Sequence, residues 1–346
     1  MKSKNKQYGT QYPSTRYMGS KRKLLPLIND IVHSLDVKSV LDAFSGSGCV
    51  SYEFKKCGLK VSSNDFLRFA YTFTLASVEN NKERLTEKDI ASLLLPNTQR
   101  KSFVEDTFSG LYYSQEENQF IDNLRSNIDK ISNKYKTAIA LSSLFRACSK
   151  RRARGIFAYT GFRYDDGRKD LKTGLQQHFI DAVEEWNNSI FDNGKENKAY
   201  NSDIFKLNTE HHDLVYFDPP YFSLKSDNDY TRRYHFLEGL STYWKGVEID
   251  YTTKTKKIKS KDTPFSTKAT VYKAFDDLFS KYKDSALLVS YYSNGLPTKE
   301  ELVELLMKYK GNVKTVDISQ TYSFGTHAHK INNGNNKITE YLFIAT

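Results

Sequence analysis

Apolar residues recur along the chain in two periods, and the switches between them divide it into segments. Leu24, Leu25, Leu27, Ile28, Ile31 and Val32 fall on one helical face behind a Gly19-Ser20 turn, which predicts a helix capped near Ser20. Lys38 to Phe44 is a short apolar run and predicts a buried strand. A helical stretch follows to about Lys56, and then a second strand, Leu59 to Asn64, stops at Asp65. Phe66 to about Arg84 predicts a helix. From 85 to 195 the strand–helix alternation ceases and long helical patterns take over. One runs from Glu116 to Lys150, with Phe120, Ile121, Leu124, Ile128 and Ile131 on one face. Alternation resumes with a short strand near Ala199 that ends around Asp203, and with an apolar run at 215–217. Residues 223–265 are polar and charged and read as loop. The end predicts a helix from Thr270 to Lys283, a strand from Ala286 to Tyr291 and a helix capped at Thr298 that reaches Tyr309. Two strands close the chain, Val313–Ile318 and Ile338–Ile344, with a turn signal at Asn332-Asn333-Gly334-Asn335-Asn336 between them. They predict an antiparallel pair at one end of an otherwise parallel sheet. The pattern is that of an α/β fold carrying a mostly helical insertion.

Three strand ends carry chemistry. After the first strand comes Ser45-Gly46-Ser47-Gly48, a turn in which backbone can approach a ligand at a helix N-terminus. Asp65 lies about 20 residues beyond the turn, at the end of the second strand, where α/β folds hold a ribose diol. A dinucleotide fingerprint would place Gly where this chain has Ser51, and Asp42 just before the turn would repel a pyrophosphate. A carboxylate there attracts an amino group or a sulfonium instead, which favours S-adenosylmethionine. The third end is Asp218-Pro219-Pro220-Tyr221. Two prolines remove two donors and fix φ, leaving a rigid corner with one carboxylate, free carbonyls and a ring. Asp218 and the Pro219 carbonyl can accept two N–H bonds from a planar amine while Tyr221 stacks on its ring. Read alone, the corner is equally a strand end with an Asp turn former.

Charge sharpens this. The 346 residues carry a formal net charge of +11 and 14% aromatics, which fits a polyanion partner as well as a solvated lysine-rich surface. The first 15 residues read as a disordered basic arm. Lys150 to Gly155, with Arg151, Arg152 and Arg154, runs into the aromatic segment 156–164 and reads as a phosphate-contacting tip or an exposed charged loop. Arg232, Arg233, Lys256 and Lys257 lie in the 223–265 segment, whose lysine run reads as a mobile phosphate-contacting loop or a merely solvated one. His235 has no evident partner and reads as a structural or loop histidine. Cys49, Cys57 and Cys148 show no metal spacing and read as reduced thiols of a cytoplasmic protein. No metal set, signal peptide or membrane-length apolar run is expected.

The ordered set of Arg16-Tyr17-Met18-Gly19-Ser20-Lys21, Asp42-Ala43-Phe44-Ser45-Gly46-Ser47-Gly48, an insertion, and Asp218-Pro219-Pro220-Tyr221 resembles the DNA adenine methylase (Dam-like) family. The closing Glu340-Tyr341-Leu342-Phe343-Ile344 is similar to that family's last strand. The resemblance covers 16–84 and 199–346; the insertion matches only in general character. It implies a Rossmann-like methyltransferase sheet, mostly parallel with an antiparallel last strand. The catalytic S-adenosylmethionine-binding domain would comprise 16–84 and 196–346, and 85–195 an inserted helical target-recognition region, with 223–265 as an additional DNA-contacting loop. Tyr17 and Lys21 resemble the leading aromatic (often Trp in the family) and lysine that contact the cofactor. Asp42, Phe44, Gly46 and Gly48 resemble the wall around its methionine part, Asp65 the ribose acid, Phe66 a border of its adenine, and Asp203 and Ile204 the segment near its adenine amine. The implied activity is methyl transfer to N6 of an adenine flipped out of double-stranded DNA, by an enzyme that either is paired with a cognate restriction endonuclease or works alone, with a monomer sufficient. The alternatives are N4-cytosine methylation at the same corner, or an inactive DNA-binding scaffold. A C5-cytosine mechanism is excluded, since no cysteine follows a proline.

Overall fold

The computed structural model describes residues 10–152, 155–159, 169–222, 229–260, 263–321 and 337–346. A short 3-10 turn, Lys21–Leu24, leads into α1 (Leu25–Ser34), then β1 (Ser39–Asp42), α2 (Cys49–Lys56), β2 (Lys60–Asn64) and α3 (Arg68–Thr74), which continues as a π-helical turn, Leu75–Glu79. The helical block holds α4 (Glu87–Leu94), α5 (Phe103–Thr107), α6 (Gln115–Ile128), α7 (Lys134–Lys150), α8 (Lys169–Lys172) and α9 (Leu175–Asn188). After it come β3 (Lys198–Tyr200), β4 (Leu214–Phe217), α10 (Tyr230–Arg233), α11 (His235–Thr242) and the hairpin β5 (Ile249–Asp250)–β6 (Lys257–Ile258). The chain ends with α12 (Lys268–Lys281), β7 (Ala286–Tyr292), α13 (Lys299–Met307), β8 (Val313–Thr321) and β9 (Lys337–Ala345).

Seven of these strands form one sheet in the order β3-β2-β1-β4-β7-β9-β8. The pairs from β3 to β7 are parallel, while β9 runs antiparallel to both β7 and β8. This is the mostly parallel, Rossmann-like sheet with an antiparallel end expected from the sequence. Strand order reverses between β1 and β4, and in such sheets ligands bind beyond the carboxyl ends at that switch point.

Alternation along the strands feeds two cores. Val40, Val61, Leu214, Tyr216, Leu288 and Leu342 face one side and Leu41, Val215, Phe217, Leu287, Val289 and Phe343 the other. The second side is closed by α12 and α13; a Thr298–Glu301 capping box starts α13. The first is covered by α1, α2, α3, α7 and α9 in one continuous cluster, in which Trp186 stacks on Phe73 at 5.6 Å.

Several expectations need correction. The predicted arm packs at 10–15: Tyr12 is buried and its hydroxyl donates to the Ser47 carbonyl (2.6 Å), while residues 1–9 lie outside the described part. The helix expected over 116–150 breaks after Ile128, because the Asn133 side chain accepts from the Tyr135 and Lys136 amides and starts a new helix. The helix from Phe66 stops at Glu79, where the Asn80 side chain accepts from the Lys82 and Glu83 amides. Ser20 makes no side-chain cap. The stretch 229–260 is structured rather than loop, since Phe236, Leu237 and Leu240 on α11 are buried in the first core. The turn signal at 332–336 lies outside the described residues.

Candidate active site

β1, β2 and β4 end side by side and deliver Asp42, Asp65 and Asp218 to the rim of one cavity of about 480 Å³. Parallel register sets this: Asp42 pairs with Tyr216, and the Ala43 amide donates to the Tyr216 carbonyl at 3.0 Å. The cavity is lined by Tyr17, Lys21, Phe44, Gly46, Phe66, Asp203, Ile204, Pro219, Pro220 and Tyr221 as well as the three acids. The predicted set is thus brought together except for Gly48, which stands behind the turn. There φ is +78°, and a Cβ would lie 2.6 Å from the Tyr12 hydroxyl. Asp65 holds the turn in place, accepting from the Gly46 amide (2.7 Å) on one oxygen and from the Leu67 amide (2.8 Å) on the other. The Tyr17 ring packs close to Gly46 and forms a stacked triad with Tyr230 (5.6 Å) and Tyr234 (5.2 Å).

At the Pro-Pro corner, Asp218 Oδ1 accepts from the Tyr221 hydroxyl (2.7 Å) and faces Lys21 Nζ at 2.9 Å. Lys21 Nζ also donates to the Tyr221 hydroxyl at 2.5 Å and meets Glu340 Oε1 at 3.1 Å. These contacts fix the carboxylate through one oxygen; Oδ2 carries no hydrogen bond among the described residues. One oxygen of Asp42 accepts from the Ser51 hydroxyl, and the other is buried without a partner.

The electrostatics follow from burial. Asp42, Asp65 and Asp218 line the cavity together with Lys21, which Glu340 meets from behind, and the lining also holds Asp203 and the Asp229–Arg232 pair. Burial pushes Asp42 up to about 7, with Asp218 and Asp65 adding to it against the Ser51 hydrogen bond. Asp65 is also pushed up to about 7 by burial, against its two backbone hydrogen bonds. Burial raises Asp218 too, with Lys21 opposing. Lys21 is held well above its ordinary value: burial works against the charge, and Asp218 and Glu340 outweigh it. Such a site attracts a cation and offers one open carboxylate oxygen as an acceptor.

Sequence reasoning assigned no role to Glu340, Tyr12, Tyr230 or Tyr234. A signal existed for Glu340, an acid directly before the aromatic and apolar run Tyr341–Ala345.

The basic residues divide. Arg152 is corrected from a DNA-facing position: it is 1% exposed, donates to the Tyr159 carbonyl (2.6 Å) and lies over the Tyr112 and Tyr159 rings. Arg151 pairs with Glu117 (2.6 Å) and donates to the Leu171 carbonyl, which ties α7 to α6 and α8. Arg154 lies outside the described residues. Arg232 lines the cavity mouth, paired with Asp229 at 3.2 Å, and Arg233 donates to the Met18 sulfur at 3.2 Å. Lys256 donates to the Thr107 carbonyl and Lys257 sits in β6, so these two lysines belong to a hairpin, while Lys261 lies outside the described residues. His235 is structural as expected: it is buried, meets the Tyr112 hydroxyl (3.0 Å) and is pushed down to about 4 by burial.

Known proteins place this geometry. The chain is 30% identical over 352 residues to the Type II methyltransferase M2.HphI of Haemophilus parahaemolyticus, an alignment covering 96% of this chain and 98% of the relative. It is 28% identical to the modification methylase StsI of Streptococcus sanguinis and 27% identical to the Type II methyltransferase M.FokI of Planomicrobium okeanokoites. It spans about half the length of those two, 51% and 52%. The family model described as D12 class N6 adenine-specific DNA methyltransferase matches residues 17–305. With its acid-lined switch point, its Asp-Pro-Pro-Tyr corner and this match along most of its length, the chain belongs to the D12 class N6 adenine-specific DNA methyltransferases.

Proposed function

We propose that the cavity takes S-adenosylmethionine in its Asp42–Asp65 half and a target adenine, turned out of duplex DNA, in its Asp218 half. The observation that carries this is a buried site in which carboxyls outnumber cations, with Asp42 Oδ1 unpartnered and Asp218 Oδ2 open. A sulfonium compound with an α-ammonium group fits that donor set. Asp42 would accept the ammonium, Asp65 the ribose hydroxyls, Phe66 would border the cofactor's adenine, and Asp203 and Ile204 its amine. When bound, S-adenosylmethionine supplies an electrophilic methyl group.

The residues of the chain prepare the other reactant. The N6 lone pair of adenine is delocalised into its ring. Asp218 Oδ2 and the Pro219 carbonyl accept the two N–H bonds, draw the nitrogen toward a tetrahedral shape and localise the pair. Lys21 and Tyr221 hold Asp218 by its other oxygen, so the acceptor is in place before the base arrives. Burial, which raises Asp218, lets it hold the proton that the amine gives up. Extruding the base costs a few kcal/mol, offset by contacts to rings of the cavity such as Tyr221 and Tyr230.

In this reading the helical block 85–195 and the hairpin at 249–258 form the target-recognition side, and Arg232 and Arg233 meet DNA at the cavity mouth. A cognate restriction endonuclease is the partner in a modification role, since relatives are named as Type II and modification methylases. A monomer suffices, and the cytoplasm is its compartment. Among the described residues no helix is long and apolar enough to cross a membrane, and no group of acids, histidines and cysteines could hold a metal. The test is methyl transfer from labelled S-adenosylmethionine to unmethylated genomic DNA, with digestion to nucleosides. Label in N6-methyladenine is expected; no label on DNA would overturn the reading.

A further inference from the structure

Glu340 stands where the sheet calls for an apolar side chain. It shares a face of β9 with Leu342, which is fully buried, and is itself 1% exposed. A buried carboxylate is strongly unfavourable unless it is paired and hydrogen-bonded. Here Ser290 Oγ of the neighbouring β7 donates to Oε1 at 2.9 Å, and Lys21 Nζ approaches the same oxygen at 3.1 Å. Lys21 is thereby held on two sides, by Glu340 from the sheet and by Asp218 Oδ1 (2.9 Å) from the corner.

A lysine beside a single carboxylate can swing across both of its oxygens, neutralising the acceptor and occupying it. A lysine shared with a second, fixed carboxylate stays at Oδ1 and leaves Oδ2 for another donor. We propose that Glu340 is a positioning residue for methyl transfer, which acts through Lys21 to set the orientation and the acceptor strength of Asp218. This rests on the catalytic reading of Asp218 given above.

Asp218 is faced by Lys21 from the turn before α1, by Asp42 at the end of β1 and by Glu340 from β9. Among the described residues the phenols of Tyr17, Tyr216, Tyr221 and Tyr230 also face it. Glu340→Gln changes one charge in that set and keeps the shape. A negative neighbour favours the protonated form of Asp218, so its removal lowers the pH at which Asp218 ionises.

The experiment uses the full chain, unmethylated duplex DNA and S-adenosylmethionine. Wild type that methylates no adenine would overturn the catalytic reading itself, before any variant is compared. With an active wild type, Glu340→Gln should lower kcat about 10- to 100-fold, by analogy with loss of an outer partner to a functional group. KM for DNA and for cofactor should stay within about threefold, and the acid limb of the kcat profile should move to lower pH. Ser290→Ala keeps the charge and should leave that limb in place. A folded Glu340→Gln protein with kcat within twofold of wild type, or with an unmoved acid limb, overturns the proposal. If that variant does not fold, Glu340→Asp decides: its carboxylate is withdrawn by one methylene, so kcat should fall at unchanged KM, and wild-type kcat overturns the proposal.

Discussion

Asp42 should make the unliganded protein less stable as pH rises, and Asp42→Asn should remove that effect. The side chain is 1% exposed, one of its oxygens has no partner, and burial pushes its carboxyl from 3.8 to about 7. The folded state therefore holds this proton more tightly than the unfolded state. Stability falls as pH rises from about 4 to about 7 and is level above that. At about 1.4 kcal/mol per pKa unit, the gap amounts to about 4 kcal/mol at pH 8 and about 1.5 kcal/mol at pH 5. Asn is nearly isosteric and neutral, and altering the Ser51 hydrogen bond costs about 1 kcal/mol. The variant should then gain about 3 kcal/mol at pH 8 and almost nothing at pH 5. For a chain of this size that is a rise in Tm of several degrees at pH 8 alone. Calorimetry at both pH values reads it directly. Methyl-transfer kinetics on the same protein should show a KM for S-adenosylmethionine raised at least about tenfold. An Asp42→Asn protein whose Tm difference from wild type is the same at pH 5 and pH 8 would refute the reasoning, whatever its sign.

Other substitutions probe the rest of the site and the fold that holds it. Asp218→Ala should reduce methyl transfer by at least about 10²-fold while cofactor binding, followed by calorimetric titration, persists; equal turnover would sink the acceptor role. Gly48→Ala should lose about 2–3 kcal/mol, from the left-handed φ of +78° and from a Cβ 2.6 Å from the Tyr12 hydroxyl. Gly58→Ala, at φ +82° with nothing within 4 Å, should lose only about 1–2 kcal/mol, and equal losses would remove the clash from the argument. Arg152→Ala should lower Tm through about 2 kcal/mol or more of lost packing and hydrogen bonds, with the salt dependence of DNA binding unchanged. Replacing Arg232 and Arg233 should flatten that dependence, and an unaltered salt slope would move the DNA face elsewhere.

Local patterns made the sheet legible. Short apolar runs announced β1, β2 and β4, the last two stopping at an acid, and the Thr298-Lys299-Glu300-Glu301 box announced α13. Because the cavity forms where those strands end, the sequence alone brings Asp42, Asp65 and Asp218 together. What stayed hidden depends on partners distant in the chain. Arg152 reads as surface charge in its own neighbourhood, yet Tyr112 and Tyr159 enclose it. Tyr12 reads as part of a polar arm until the Gly turn, 35 residues on, gives it a carbonyl to bind. α11 went unnoticed because its apolar residues are few and its flanks are charged; the helical block supplies its burial. Glu340 reads only as part of the last strand, and its meaning lies in Lys21 at the other end of the chain.

The first core runs without a seam from the strands through α3, α7 and α9 to α11: Val40 and Leu288 belong to the same cluster as Phe145, Trp186 and Trp244. Heredity is constrained by that continuity. A methylase whose recognition part hung on a linker could acquire a new target by exchanging the part whole. On the proposed reading of 85–195 as the recognition side, such an exchange would remove α7 and α9 from the first core and expose the faces of α3 and its π-helical continuation that pack on them. New specificity is therefore expected to arise by substitutions on the outer faces of these helices and in the segments between them, with the inner faces kept, and chimeras cut at 85 and 195 should accumulate as insoluble protein.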